Sequence, residues 1–174
     1  MADSTFLLRE YRPDSDRAAV INVMEKALTE TDARFVNPPP AGDPTVVFDP
    51  RKTDESVFLV AEDRFSDEII GTGAFRPMPP EEVPHIGDRT SKIAELKRMH
   101  ILPDYQREGL GQRILDTLRL RASGLGYETF MLQTTAFQQA AISFYEGEGF
   151  ELINAETVQI DNRAVELLTY SGNV

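Results

Sequence analysis

The stretch Gln106-Arg-Glu-Gly-Leu-Gly111 follows a predicted strand that ends before Pro103 and opens a helical pattern that runs from Gly109 to Ser123. Apolar residues recur at helical spacing along one side of that pattern: Leu110, Ile114, Leu115, Leu118 and Ala122. Backbone N–H groups at a helix N-terminus are unpaired and carry partial positive charge. Glycines at spacing two remove the Cβ atoms that would keep a phosphate away from those groups. On spacing alone, the stretch is either a phosphate cradle or a plain turn from strand to helix.

Two common nucleotide-binding motifs do not fit this stretch. A Walker loop needs Gly-Lys followed by Ser or Thr, which the chain does not have here. The dinucleotide fingerprint needs a third glycine at the position of Ile114. Both of these nucleotide interpretations are therefore excluded.

The hydrophobic pattern on either side of the stretch alternates between strands and helices. Strands are predicted over residues 5–11, 56–61, 69–75, 91–102, 127–133, 150–153 and 164–170, and helices over 15–29, 109–123 and 137–147. Prolines and glycines make residues 30–50 and 76–91 irregular. This order of elements predicts a single mixed α/β domain over residues 1–174.

Composition and charge exclude several classes of protein. The chain has 174 residues, 41% of them hydrophobic, and 18 basic against 29 acidic side chains give a net charge of −11. Such a composition builds a core rather than a disordered chain. The acidity argues against a nucleic-acid partner. The sequence has no apolar run of membrane-spanning length and no signal-like start, which predicts a cytoplasmic protein without a membrane partner.

The residues that most often carry nucleophilic or metal chemistry are scarce. Cysteine is absent, so disulfides, thiolate metal sites and cysteine nucleophiles are excluded. Histidine occurs only as His85 and His100, too few for a histidine-rich metal centre, and we expect no metal site. A serine hydrolase is also excluded, because the chain has no Gly-x-Ser-x-Gly elbow.

Two stretches carry a family resemblance. Ala94-Glu-Leu-Lys-Arg-Met-His-Ile-Leu-Pro-Asp-Tyr-Gln-Arg-Glu-Gly-Leu-Gly111 looks like motif A of the GNAT (GCN5-related) N-acetyltransferase superfamily, whose Gln/Arg-x-x-Gly-x-Gly/Ala loop binds the pyrophosphate of acetyl-CoA. Gln138-Gln-Ala-Ala-Ile-Ser-Phe-Tyr-Glu-Gly-Glu-Gly-Phe150 resembles its motif B helix. The resemblance implies a single-domain GNAT fold, a mixed and mostly antiparallel sheet of about six or seven strands flanked by helices. Motif A would span about 92–123 and motif B about 127–153.

The resemblance also implies that acetyl-CoA is the co-substrate and that no metal takes part. The implied contacts come from motif A, at Met99, His100, Ile101, Gln106, Arg107, Glu108, Gly109, Leu110, Gly111 and Gln112, and from motif B, at Gln138, Ala141 and Phe144. Met99 and Ile101 would contribute backbone groups. Position 138 departs from the family, which commonly has Asn there, so the direct contact expected of that side chain is in question.

Glu95 is the candidate general base, because it occupies the place of the catalytic Glu in histone-type members of the family. A base helps because an amine with a pKa of roughly 10.4 must lose a proton before it attacks. In the alternative interpretations, Glu95 pairs with Lys97 or Arg98, or a water chain leads to another carboxylate. Strict alternation along the strand places on one face Glu95, Lys97, Met99 and Ile101, and on the other Leu96, Arg98 and His100.

Tyr145 is the candidate general acid, because the matching family Tyr directs its hydroxyl at the sulfur of CoA. The alternative is a core aromatic residue beside Phe144. We expect His100 to be a partly buried histidine rather than a catalytic one. Arg107 and Arg113 lie where they could reach the phosphates of CoA, and Arg113 is equally compatible with a solvent-facing helix start.

The resemblance implies an N-acetyltransferase that acts on the primary amine of a small molecule. Because the chain has no cysteine, we expect direct transfer within a ternary complex. Acceptor specificity is expected from the variable segments 30–55 and 76–91, with Arg34, Phe35 and Phe48 as candidate pocket residues. The acidity favours a basic amine over an acidic metabolite. A catalytically weak acyl-CoA-binding or regulatory module, a protein N-acetyltransferase and a longer acyl donor remain open, as do a monomer and a homodimer.

Overall fold

The computed structural model describes residues 5–29, 54–78, 91–160 and 162–174. Within these ranges, seven strands and three α-helices follow one another in the predicted order. The strands are β1 (Phe6–Glu10), β2 (Val57–Asp63), β3 (Ile69–Pro77), β4 (Ile93–Ile101), β5 (Thr129–Thr135), β6 (Glu151–Ile160) and β7 (Arg163–Asn173). The helices are α1 (Pro13–Thr29), α2 (Leu110–Gly124) and α3 (Gln139–Gly147), and a 3-10 turn over Pro103–Tyr105 separates β4 from α2.

The strands form one sheet in the order β1-β2-β3-β4-β5-β7-β6. Every neighbouring pair is antiparallel except β4 and β5, which run parallel. The chain reaches β5 from β4 through α2, because parallel strands need a long crossover connection. The predicted α/β class and the mixed, mostly antiparallel sheet are confirmed.

The final hairpin is longer than the sequence predicts. The pattern indicates strands at 150–153 and 164–170, whereas β6 extends to Ile160 and β7 to Asn173. β6 is an edge strand, and most of its side chains are exposed on both faces. Its sequence therefore lacks the apolar alternation of a half-buried strand, and the prediction stops where the apolar residues stop.

Helices α1 and α2 cover opposite faces of the sheet. On one face, α2 supplies buried apolar side chains at Leu110, Ile114, Leu115, Leu118 and Ala122. On the other, α1 supplies Val20, Val23 and Met24. Helix α2 and the β4 side chain of Met99 lie so close to β3 that a Cβ atom at Gly73 would be 2.7 Å from Met99 Sδ. Glycine at this position therefore allows the close approach of helix and sheet.

Strand β4 contains a β-bulge at Arg98 and Met99, which together face Gly73 of β3. Arg98 has φ 58°, in the left-handed region that non-glycine residues seldom adopt. The Thr72 hydroxyl donates a hydrogen bond of 2.7 Å to the Arg98 carbonyl oxygen. This bond fixes the bulge to the neighbouring strand, and the extra residue reverses the alternation of side chains beyond it.

The prediction of strict alternation along β4 is therefore wrong. Leu96, before the bulge, and Met99 and Ile101, after it, all pack into the cluster on the α2 side of the sheet. Glu95 pairs in register with Arg76 and lies on the opposite face, toward α1. Sequence alone did not signal the bulge, because the residue in the left-handed region is Arg rather than the usual Gly.

None of the helices in the described part of the chain is long and apolar enough to cross a membrane. Among the same residues, no group of three His, Asp or Glu side chains is placed to hold a metal ion.

Candidate active site

The parallel strands β4 and β5 separate after a short stretch of pairing. Their register pairs are Ile93 with Thr129, Ala94 with Phe130, and Glu95 with Met131. Beyond Glu95, β4 continues to Ile101 with β3 along one edge and no described strand along the other. We call the gap beyond Glu95 and Met131 the β4–β5 cleft. The backbone groups on this free edge of β4 can bind an extended ligand, in the way that an added strand joins a sheet.

The loop from β4 into α2 presents backbone N–H groups at the far end of the cleft. Gly109 is the N-cap of α2, and the first intrahelical hydrogen bond joins Arg113 N–H to the Gly109 carbonyl. The N–H groups of Leu110, Gly111 and Gln112 therefore have no intrahelical acceptor. Gly109 has φ 79°, and a Cβ atom there would meet nothing within 4 Å. The glycine is therefore needed for the backbone conformation and not for close packing.

The side chains of this loop divide into those that hold it and those that face water. Gln106 donates from Nε2 to the Ile101 carbonyl at 3.1 Å, which ties the loop to the end of β4. Arg107 and Glu108 are exposed, whereas Leu110 is buried in the core. Of the predicted cofactor contacts in the loop, Leu110 can thus offer only its backbone.

Helix α3 borders the same loop. A carbon of the Phe144 ring lies 3.5 Å from the place that a Cβ on Gly111 would take. Gln138, just before α3, accepts a hydrogen bond of 2.5 Å on Oε1 from the Thr134 hydroxyl. The longer Gln side chain is therefore bound back to β5, which leaves its Nε2 group as the donor that a ligand can use. Ala141 is half-buried on the same helix.

Tyr145 is buried among aromatic side chains on α3. Its ring centroid is 5.3 Å from that of Phe144 and 5.5 Å from that of Phe150. Burial raises the pKa of the Tyr145 hydroxyl above its ordinary value, so that the group keeps its proton at neutral pH. This placement fits both predicted roles, the core aromatic residue and the proton donor.

Glu95 lies at the last register pair before β4 and β5 separate, which is the vertex of the cleft. Its side chain is 5% exposed and holds two cations. Arg76 Nε donates to Oε2 at 2.6 Å, and Lys97 Nζ donates to Oε1 at 2.9 Å. The structure thus contains the ion pair with Lys97 that the alternative interpretation predicts. The same carboxylate is therefore the shared partner of two cations and the candidate base.

Arg76 is a site residue that the sequence did not reveal. It was expected in the irregular segment 76–91, but it belongs to β3 and faces Glu95 directly across the β3–β4 pair. That expectation is corrected for Arg76 and Pro77, the last residues of the strand. This pairing could not be predicted, because the strand register across the bulge at Arg98 cannot be counted from the sequence.

The structure also shows what surrounds two other predicted site residues, His100 and Arg113. His100 is half-buried, and burial together with the nearby Arg98 lowers the pKa of its imidazole to about 4. It is therefore neutral at pH 7. The Arg113 guanidinium lies 4.7 Å from the centroid of the Phe6 ring, so it stacks on β1 at the start of α2.

The predicted acceptor-site residues Arg34, Phe35, Phe48 and His85 lie outside the described residues. The same holds for most of the variable segments, since 30–53 and 79–90 are not described.

Comparison with known proteins places the chain among acetyltransferases. The sequence model of the family described as acetyltransferase (GNAT) domain matches residues 54–152. The chain is 32% identical over 90 residues to the uncharacterized N-acetyltransferase YjgM of Escherichia coli K12, which is 52% of this chain and 49% of that protein. It is 40% identical over 57 residues to the ribosomal protein bS18-alanine N-acetyltransferase of the same organism, which is 33% of this chain and 38% of that protein. The chain thus spans half or less of the length of these curated relatives.

Solved structures extend the likeness of the fold to the whole chain. The phosphinothricin acetyltransferase (Pat) of Sinorhizobium meliloti in complex with AcCoA matches 98% of this chain and 89% of its own, with a TM-score of 0.75 and 17% identity. At that identity the likeness shows the fold alone. The family match, however, covers more than half of the sequence and includes both motifs. The chain therefore belongs to the GNAT family of acetyltransferases.

Proposed function

We propose that this protein is an acetyl-CoA-dependent N-acetyltransferase that transfers the acetyl group directly to the primary amine of a small molecule. The observation that supports this proposal most is that two binding surfaces, the free edge of β4 and the N-terminus of α2, follow one another along the β4–β5 cleft. The free edge of β4 suits an extended chain that carries amide groups. The unpaired N–H groups at the N-terminus of α2, at the end of that edge, suit a pyrophosphate.

The chemical groups that the cleft presents match the parts of acetyl-CoA that they would bind. The N–H groups of Leu110, Gly111 and Gln112 would hold the pyrophosphate. The free edge of β4 would hold the pantetheine arm, with Gln138 Nε2 as a further donor. When bound, acetyl-CoA supplies the thioester whose acetyl group is transferred.

Two side chains carry the proton transfers of the proposed reaction. Glu95 takes a proton from the attacking amine, whose nitrogen forms the new bond to the acetyl carbon as the carbon–sulfur bond breaks. Tyr145 gives its proton to the departing thiolate, and burial of the hydroxyl keeps that proton in place until then. Because the chain has no cysteine, no acetyl-cysteine is formed on the way.

The test is an acetyl-transfer assay with a panel of primary amines. The acetylated amine is measured by mass spectrometry, and the free CoA thiol is measured in the same samples. We expect equal amounts of the two products and no acetyl group on the protein. Thiol release without an acetylated amine, or an acetylated protein that passes its group to the amine, would contradict direct transfer.

A second candidate acceptor is the N-terminal amine of a protein. It is favoured by the 40% identity over 57 residues to the ribosomal protein bS18-alanine N-acetyltransferase. Short peptides that begin with Ala, added to the same assay, separate it from the first candidate. A binding module without turnover would bind acetyl-CoA and give no product. The cytoplasmic location and a monomeric or homodimeric state remain predictions.

A further inference from the structure

Thr72 is a polar residue in an apolar part of β3. Its side chain is fully buried on the α1 side of the sheet. There its register partner on β2 is Val60, and the next β3 residue on that side is Ala74, both in the apolar cluster beneath α1. A valine would have the same shape and no hydroxyl to satisfy, and a buried hydroxyl without a partner costs stability. Packing alone therefore does not account for a threonine here.

The hydroxyl of Thr72 binds the β-bulge of β4. It donates a hydrogen bond of 2.7 Å to the carbonyl oxygen of Arg98. Arg98 has φ 58°, which is a strained conformation for a residue with a side chain, so the bulge needs contacts that maintain it. On the α2 side, Met99 Sδ occupies the space beside Gly73, where a Cβ atom would lie only 2.7 Å from it. The bulge is thus held from both faces of the sheet.

Backbone hydrogen bonds show what the bulge changes along β4. Before the bulge, the Ile93 carbonyl faces β3, because it accepts a bond of 3.1 Å from the N–H of Met78, just after that strand. Beyond the bulge, the Leu102 N–H also faces β3, because it donates to the Ile70 carbonyl at 2.9 Å. The backbone groups of successive residues in a strand face opposite neighbours, and Ile93 and Leu102 are an odd number of positions apart. The bulge has therefore exchanged the two edges of β4 for the residues that follow it.

After this exchange, the backbone groups of Met99 and Ile101 face the β4–β5 cleft. A side-chain bond agrees with this direction, since the Ile101 carbonyl accepts a hydrogen bond of 3.1 Å from Gln106 Nε2, in the loop at the end of the cleft. A strand without the extra residue would turn the groups of Met99 and Ile101 toward β3 and those of His100 toward the cleft. The bulge therefore decides which backbone groups a ligand of the free edge meets.

We propose that Thr72 is a positioning residue for acetyl transfer. Its hydroxyl holds the Arg98 carbonyl, and the bulge held in this way sets which backbone groups line the free edge of β4. Those groups set where the acetyl group of bound acetyl-CoA lies, and a displacement of about 1 Å can cost on the order of a hundredfold in rate. The inference rests on the proposed acetyl transfer, and it adds a residue that is too deeply buried to touch either substrate.

The test uses two pairs of proteins that differ only in the hydroxyl at position 72. The natural protein is compared with Thr72→Val, and Thr72→Ser with Thr72→Ala, so that the second pair carries the comparison if Thr72→Val does not fold. In each pair we expect loss of the hydroxyl to lower kcat by about tenfold or more, because a buried carbonyl is left without its partner. The kcat is measured per molecule that binds acetyl-CoA in a calorimetric titration.

Acetyl-CoA affinity and amide exchange give two readouts that do not depend on turnover. The affinity should change by a few-fold at most, because the N–H groups at the start of α2 do not depend on the bulge. Without acetyl-CoA, amide exchange over residues 98–101 should be faster in Thr72→Val by about tenfold or more. The matched control is Thr117→Val, which removes a hydroxyl that donates at 2.8 Å to a carbonyl one turn earlier in α2. Neither kcat nor exchange over 98–101 should change in this control.

A glycine at the bulge tests whether the hydroxyl acts through the backbone of Arg98. Glycine adopts a positive φ without strain, so the bulge in Arg98→Gly needs the hydroxyl less than the natural bulge does. We expect Thr72→Val to lower kcat by a smaller factor in the Arg98→Gly protein than in the natural one. An equal factor in both proteins would show that the hydroxyl does not act through the bulge, and would overturn the inference.

The outcomes separate this inference from the proposed function. If Thr72 serves stability alone, Thr72→Val is less stable but its folded molecules turn over at the natural rate. That result, or an equal fall of kcat in Thr117→Val, would overturn the positioning role and leave acetyl transfer in place. Unchanged exchange over residues 98–101 in Thr72→Val would overturn it as well. Absence of turnover by the natural protein with every amine, while acetyl-CoA binds, would overturn both proposals together.

Discussion

Glu95 holds two cations with one buried carboxylate, and the same carboxylate is the proposed base. Glu95→Gln keeps the shape of the side chain and removes both its charge and its basicity. We expect kcat/KM to fall by about a hundredfold or more, the usual contribution of a general base. The measurement is the kcat/KM of the variant, with acetyl-CoA affinity measured alongside to confirm that the cofactor site is intact.

The matched control for Glu95 is Lys97→Gln, which breaks one ion pair and keeps the carboxylate. Its kcat/KM should stay well above that of Glu95→Gln, because the proposed base is still present. Removing Glu95 also leaves Arg76 and Lys97 without their shared anion, which costs up to about 3 kcal/mol of stability in a buried setting. A folded Glu95→Gln protein with an unaltered kcat/KM would remove Glu95 as the base and leave it a structural residue.

Tyr145→Phe separates the two roles of Tyr145, because phenylalanine keeps the ring contacts with Phe144 and Phe150. Since burial raises the pKa of the hydroxyl, Tyr145 stays protonated through the ordinary assay range, and no falling limb at moderately alkaline pH should come from it. We expect a large fall in kcat with little change in acetyl-CoA affinity. Stability should change by only about 1 kcal/mol. An unchanged kcat would leave Tyr145 as a core aromatic residue.

His100 makes the stability of the protein depend on pH. Its pKa is about 4 in the folded protein and 6.5 in an unfolded chain, so the unfolded state binds more protons as the pH falls through this window. The contribution of His100 is complete above pH 6.5 and is lost toward pH 4. It amounts to on the order of 2 kcal/mol between pH 7 and pH 5.

Urea unfolding of the natural chain and of His100→Gln, each at pH 7 and pH 5, measures this contribution. The natural protein should lose more stability between the two pH values than the variant does. An equal loss in both proteins would show that His100 is accessible to protons in the folded state.

At the scale of elements, the N-terminus of α2 depends on two glycines with different tasks. Gly109 has φ 79° and open space at its Cβ position, whereas at Gly111 a Cβ would lie 3.2 Å from Ile101 Cδ1. Gly109→Ala should therefore strain the backbone, by roughly 1–2 kcal/mol, and turn the N–H groups away from the phosphate. Gly111→Ala asks only for a small shift of the Ile101 side chain.

We expect Gly109→Ala to weaken acetyl-CoA binding by about tenfold or more, as that strain implies, and Gly111→Ala to weaken it by a few-fold at most. Calorimetric titration of both variants with acetyl-CoA makes the comparison. Equal affinities for the two variants would show that the conformation of Gly109 is not what prepares the anion site.

How far the elements could be predicted depends on what each one buries. The sequence predicts helix α2 well because its apolar side is continuous, and it predicts the buried strands β2 and β3 well because their apolar runs are strong. The strand predicted at 150–153 is shorter than β6, because the side chains of this edge strand face water. The side of the sheet on which each β4 side chain lies is predicted wrongly beyond residue 97, because no glycine at position 98 indicates the bulge.

At the scale of the whole molecule, one parallel pair in an otherwise antiparallel sheet produces the cleft. β4 and β5 start together and then separate, and the connection through α2 brings a helix N-terminus to the open end. The motifs allowed the family and the candidate residues to be predicted. The surroundings of Glu95 could not be predicted, because Arg76 reaches it through a strand register that depends on the bulge.

Amide hydrogen exchange with and without acetyl-CoA tests most directly whether the β4–β5 cleft is the acetyl-CoA site. We expect exchange to slow in two segments, residues 97–101 on the free edge of β4 and residues 109–113 at the start of α2. The β1–β2 pair, far from the cleft in the sheet order, should exchange at the same rate in both samples. Unchanged exchange in both segments at saturating acetyl-CoA, or slowing confined to another part of the sheet, would contradict the assignment of this cleft.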